Sequence, residues 1–295
     1  MARAAERRTG NGLGWGAAAA LAFGTLAIAA KFAYRAGADP VPLLAARFAV
    51  AAALLAVYHR ARRQTLAVTR PQALRLTFLG IVYGAESFLF FAALDRAPAA
   101  VVSLIFYSFP LWTALLSLLT RLERFQPPLL YALVSGMAGL ALIFSLPQAA
   151  GTGVALALAA ALAVSGYLLL AQVLVPDVRP TVSATWTAVV GSVTLTIASA
   201  IVRSPLPVAA IPAALALGVA TAFAFGALYL SIARIGSARS SIAMMLEPVT
   251  TLVLAVLFLG ETLAPRMIAG SVLVMAALPI LALTRRETSV ATVGT

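Results

Sequence analysis

The chain has 295 residues, 62% hydrophobic and 10% charged, with a mean hydropathy of +1.02 and a formal net charge of +12. A soluble domain is about half apolar and about a quarter charged, so no water-soluble core absorbs this excess and the composition implies a polytopic membrane protein. Cysteine is absent, which excludes disulfides and thiolate chemistry. The single histidine, His59, leaves a His-based metal site without further nitrogen ligands, so neither metal nor cofactor is expected.

The opening "MARAAERRTG" imitates the basic start of a signal peptide. The apolar segment after it is too long for a signal core, so it reads as a retained first span behind a cytoplasmic tail over 1–12. A helix needs about 20 residues to cross the hydrocarbon core. Ten segments qualify: 13–35, 41–58, 73–94, 98–119, 127–146, 151–174, 181–202, 209–232, 237–259 and 265–284. Pro40, Pro71, Pro98, Pro127, Pro180, Pro207, Gly236 and Pro265 mark their boundaries. His59, beside Arg60 and Arg62, reads as interfacial. Residues 285–295 form a second tail, and no connection is long enough for a soluble domain.

Arginine placement orients the chain. With the N-terminus inside, fifteen arginines lie on the inner side: Arg3, Arg7, Arg8, Arg60, Arg62, Arg63, Arg70, Arg75, Arg121, Arg124, Arg179, Arg234, Arg239, Arg285 and Arg286. The outer connections hold four: Arg35, Arg96, Arg203 and Arg266. The positive-inside rule then puts both termini in the cytoplasm. The excess charge is topological and faces anionic headgroups, not nucleic acid. The near-exclusive use of Arg over Lys reads as a GC-rich bacterial coding bias, hence a bacterial inner membrane.

The halves match at an offset of 138. "LDRAPAAVVSLIFYSFPLWTALLSLLTRLERFQP" aligns without gaps on "IARIGSARSSIAMMLEPVTTLVLAVLFLGETLAP". The alignment pairs Arg96 with Arg234, Ser103 with Ser241, Pro110 with Pro248, Thr113 with Thr251, Glu123 with Glu261 and Pro127 with Pro265. Each unit, 13–146 and 151–284, has five spans. An odd number means that the second unit enters from the opposite side. Inverted repeats of this kind build many secondary transporters, with the substrate site near the midplane at the repeat interface.

"EPVTTLVLAVLFLGETLAP" with "AGSVLVMAAL", the first-half copy "FPLWTALLSLLTRLERFQP", Lys31 late in span one and "RFAVAAALL" from Arg47 resemble the drug/metabolite transporter superfamily. The likeness is to its EamA-type members and covers about 12–285. It implies an all-α fold of ten transmembrane helices in two inverted five-helix repeats. It also implies transport of small organic metabolites, most often export, by alternating access. Within the superfamily the chain looks most like YddG-type exporters of aromatic amino acids.

Four charged residues fall inside spans: Lys31, Arg47, Glu86 and Glu247. At 1.5 Å per residue, Lys31 and Arg47 lie roughly 6–9 Å below the outer helix ends. Both can snorkel, or else face a wet cavity and hold a substrate carboxylate. Glu86 is deeper, and a mid-bilayer charge costs at least about 2.5 kcal/mol. It shares one helix face with Tyr83 and Phe90, a carboxylate beside rings that suits an ammonium and a hydrophobic side chain. The other reading is an internal ion pair with Lys31 or Arg47.

Glu247 precedes Pro248 mid-span, where proline frees a carbonyl and can bend a helix. Its face carries Ser240, Met244 and Thr251; the resemblance suggests a structural or gating role for it. Pro110 is the repeat partner of Pro248, and Tyr107 and Ser108 before it are candidates for the opposing wall. Trp186, Tyr167 and Tyr229 are weaker candidates, and Gly80, Gly84, Gly218 and Gly226 suit close helix contacts. Glu123 and Glu261 read as caps or ion-pair partners. The chain has no HExxH, GxSxG or paired intramembrane Asp, so it does not read as an enzyme. A passive facilitator stays open. The expected partners are a small-molecule substrate and the bilayer, and two halves in one chain let a monomer suffice.

Overall fold

The computed structural model describes residues 2–94, 96–97, 99–144, 151–260 and 262–283. Glu261 and the arginines of the C-terminal tail lie outside the described residues. Every regular element within them is helical. The elements are α1 (Ala2–Gly24), α2 (Leu26–Arg35), α3 (Pro40–Ala61), α4 (Arg70–Leu94), α5 (Ala99–Phe106), α6 (Phe109–Leu119) and α7 (Pro127–Phe144). The second half holds α8 (Thr152–Leu174), α9 (Pro180–Val202), α10 (Ile211–Ile235, behind a short 3-10 turn), α11 (Ser237–Ala243), α12 (Leu246–Leu259) and α13 (Pro265–Ala282). Among the described residues they make ten spans long and apolar enough to cross a bilayer. α1–α2, α5–α6 and α11–α12 each form one broken span. The bundle thus has a near end, carrying the first and last helix termini, and a far end.

Local chemistry explains the boundaries. Pro40, Pro127, Pro180 and Pro265 each open a helix, where the missing N–H is one that no intrahelical carbonyl would have met. α12 stops at Gly260, which takes a left-handed φ of 68°. The mid-span breaks have the same origin. Pro110 and Pro248 cannot donate to the carbonyls four residues back, and the helices interrupt at 107–108 and 244–245. Around the second break the bonding tightens to the shorter 3-10 spacing, Met245 N–H reaching the Ile242 carbonyl and Glu247 N–H the Met244 carbonyl, both at 3.0 Å.

Packing obeys the inverted symmetry. α4 packs on α8 and α9; its repeat counterpart α10 packs on α1 and α3. A β-carbon at Gly80 would lie 2.5 Å from Val190, and one at its counterpart Gly218 would lie 2.3 Å from Val50. Both glycines are sites of close helix approach. Gly84 makes only ordinary contact and Gly226 has open space beside it, so the expectation for those two is corrected. α7 crosses α13 so closely that β-carbons at Gly139 and Gly270 would each meet the other's carbonyl at 2.5 Å. There the Ser135 hydroxyl donates to the Leu273 carbonyl at 2.8 Å. These residues are 138 apart, so this bond joins one repeat position to its own copy and marks the pseudo-twofold axis.

His59 is 1% exposed, with no hydrogen-bond partner for either ring nitrogen among the described residues. This corrects the interfacial reading: the near-end turn of α3 points His59 inward while Arg60 and Arg62 remain exposed.

Candidate substrate site

The deep charged residues converge. α3 supplies Arg47, 9% exposed, whose Nε donates to Thr221 Oγ1 on α10 at 2.6 Å. Its guanidinium lies 5.2 Å from the Phe48 ring centroid, a cation–π arrangement, and within hydrogen-bonding reach of the Tyr83 hydroxyl. Tyr83 and Thr221 are repeat equivalents, so Arg47 is held between the same position of both halves.

α4 contributes Glu86, one turn beyond Tyr83 and 5% exposed. Ser87 Oγ donates to its Oε2 at 3.2 Å, and Arg47 and Glu247 both act on it electrostatically. The break before α12 brings in Glu247, which meets the Tyr107 hydroxyl from the break in the opposite repeat. One guanidinium and two carboxylates therefore share a low-dielectric centre in which charge interactions are strong.

Aromatic rings wall this centre on two sides. Phe23, Phe48, Tyr83, Tyr167 and Phe225 form one connected group, with centroid separations of 4.9 Å for Tyr83–Tyr167 and 5.0 Å for Tyr83–Phe225. On the other side Phe90 packs 4.6 Å from Phe106, and Tyr107 stacks on Phe144 at 6.0 Å. Phe90 thus belongs to the second wall, beside the break of α5–α6 and not beside Tyr83.

The remaining candidates sit around this core. Met244 is buried within the break itself. Thr251 donates to the Gly24 carbonyl at 3.0 Å, which ties α12 to the break between α1 and α2. Ser108 has a local role: its hydroxyl donates to the Ile105 carbonyl at 2.6 Å and accepts Trp112 Nε1–H at 3.0 Å. Lys31 is exposed on α2. Trp186 is partly buried against the core.

The pattern reading did not single out three features. Thr221 and Phe225 are ordinary helix residues in the sequence, and only the 138 offset from Tyr83 pointed toward Thr221. Arg239 entered only as a topological charge. At the near end it is 1% exposed and pairs with Glu123 at 2.9 Å. Around this pair Gln172 Oε1 accepts Ser237 N–H at 2.6 Å and the Ser231 and Ser240 hydroxyls meet at 2.8 Å. The network joins the loop after α6 and helix α8 to α10 and α11 at the near end of the bundle.

Two inverted repeats, broken spans and buried charge at their interface define a membrane transporter architecture. The chain matches the model of the EamA-like transporter family over residues 10–145 and 151–283 and belongs to that family. A crystal structure described only as that of a protein superposes with a TM-score of 0.79 at 23% identity, covering 91% of this chain and 95% of that one. At that identity the likeness concerns the fold. A search of curated proteins gives no match.

Proposed function

We propose that this transporter exports small zwitterionic metabolites, aromatic or other hydrophobic amino acids above all, across a bacterial inner membrane by alternating access. The observation that carries this reading is Arg47 with Glu86 and Glu247 between two aromatic walls. The guanidinium suits a substrate carboxylate, the carboxylates an ammonium, and the rings an apolar side chain. In this reading the near end and both termini are cytoplasmic, the repeats 13–146 and 151–284 are the moving units, and Pro110 and Pro248 mark the flexing points.

A second reading arises from the excess of acid. Two carboxylates against one guanidinium would also accept an organic cation. A proteoliposome competition panel of amino acids, nucleosides and cationic drugs separates the two. Inhibition by aromatic amino acids, and saturable uptake stimulated by internal substrate, support the zwitterion carrier; inhibition by cations alone replaces it. Arg47→Ala and Glu86→Ala should each lower exchange at least tenfold, Lys31→Ala less, and Trp186→Ala under twofold. The reverse order would mean that the charged set serves only packing.

A further inference from the structure

A second polar feature lies beside the charged centre and plays no part in the substrate reading. On the near-end side the bundle holds a cavity of about 150 Å³ lined by Gln172, Val178, Pro180, Ser183, Tyr229 and Ile232, among others. The Ser183 hydroxyl on its wall is 1% exposed and has no hydrogen-bond partner among the described residues. A buried orphan hydroxyl is costly, and the cavity has room for several waters to satisfy it. Water thus reaches Tyr229 from the near end.

Tyr229 begins a line of hydroxyls. Its oxygen accepts from the Tyr167 hydroxyl at 3.0 Å and lies 2.8 Å from Thr187 Oγ1. The Tyr167 ring meets Tyr83 edge-on at 4.9 Å, and the Tyr83 hydroxyl faces Arg47 and Glu86. Three phenols from α4, α8 and α10 therefore lie in sequence between a polar cavity and a buried carboxylate, the Tyr229–Tyr167 link by a hydrogen bond and the Tyr167–Tyr83 link by ring contact. Packing alone does not call for hydroxyls here, since phenylalanine fills the same space.

We propose that Tyr229, Tyr167 and Tyr83 relay protons between the near-end cavity and Glu86, so that the transporter carries protons as well as substrate. Each phenol accepts a proton on its oxygen as it passes its own onward. No tyrosinate accumulates, and a proton entering from cavity water ends on the Glu86 carboxylate. The present orientation, Tyr167 donating to Tyr229, is the one left by uptake from the cavity and poised for release toward it; rotation of the hydroxyls resets it. One water completes the step between Tyr167 and Tyr83. The ionisable groups facing Glu86 are Arg47 from α3, Glu247 from α12 with Tyr107 behind it, and Tyr83 on its own helix. The proposal rests on the transporter reading but not on the choice of substrate.

The test uses the full chain in lipid vesicles and needs no substrate. Infrared difference spectra after a pH jump follow the carboxyl band that Glu86→Gln removes. We expect Tyr229→Phe and Tyr167→Phe to slow its appearance at least tenfold with an unchanged endpoint, and Trp112→Phe to leave it as in wild type. Absence of an E86Q-sensitive band, or equal rates in wild type and both tyrosine variants, would overturn the relay. Thermal unfolding verifies that the variants fold. L-phenylalanine counterflow across the same vesicles reports separately on the amino-acid reading: its failure with an intact relay rejects that substrate, and counterflow without a relay rejects this inference alone.

Discussion

The broken spans α5–α6 and α11–α12 are one device used twice. Both interrupt one turn before an equivalent proline, and both place residues of the break against the centre. They differ at the residue immediately before that proline. The first has Phe109, 3% exposed, whose carbonyl accepts the Ser165 hydroxyl at 2.9 Å. The second has Glu247, which meets Tyr107 across the interface. Near the bundle end the contrast recurs: Arg239 at the start of the second broken span holds Glu123, whereas its counterpart in the first is Val101. The backbone symmetry supplies two interchangeable states, and the side chains make them unequal in chemistry and energy.

The contrast can be broken most severely at the near end. Arg239→Ala takes the guanidinium away from the largely buried Glu123 carboxylate, which should cost up to about 3–5 kcal/mol; apparent Tm in detergent should fall steeply. Replacing both partners by apolar residues should restore most of the loss, and a single variant as stable as wild type would show that the pair is idle. Next, Glu247→Phe gives the second break the residue of the first. It should reduce exchange at least tenfold with little change in Tm, while Phe109→Leu stays within about threefold; parity between them would remove the asymmetry from the function.

The paired threonines give a smaller and more local comparison. Thr251 bonds to a different span at Gly24, whereas among the described residues Thr113 bonds within its own helix, to the Phe109 carbonyl. Thr251→Val should therefore cost about 1 kcal/mol and Thr113→Val clearly less, measured as unfolding midpoints. The smallest effect belongs to the exposed pair of Arg75 and Asp177 at 3.1 Å. The hydrogen bond from Gln72, together with Arg75, holds the Asp177 carboxyl below its usual 3.8. Its contribution is complete above that value and lost as pH falls through the lower folded one. Because the pair is exposed and screened, Asp177→Asn should lower Tm only marginally near neutrality in physiological salt, and not at all below the folded carboxyl's range.

Much of this was legible in the sequence because a bilayer simplifies the code. Hydrophobic runs of about 20 residues, closed by proline or glycine, read directly as spans. The paired Pro110 and Pro248 announced two equivalent breaks, since a missing N–H acts wherever the residue stands. The break at Thr25 went unseen. No proline causes it, and its Gly24 carbonyl is bonded from Thr251, more than two hundred residues away. His59 misled for a related reason: its ring turns inward while the arginines beside it in sequence stay exposed.

The site divides in the same way. Glu86 and Glu247 were conspicuous because charge in an apolar helix is expensive and therefore rarely accidental. That they share a single guanidinium, and that Thr221 and Tyr83 clamp it from opposite repeats, depends on which helix faces meet. Composition, the length of the hydrophobic runs and the repeat offset alone determined the membrane class, the ten spans and the two-unit organisation, since each arises from local hydrophobicity and backbone chemistry. The tertiary structure decided the partners of Arg47, the burial of Arg239 against Glu123 and the hydroxyl line to the cavity, because these depend on contacts between helices that no local pattern encodes.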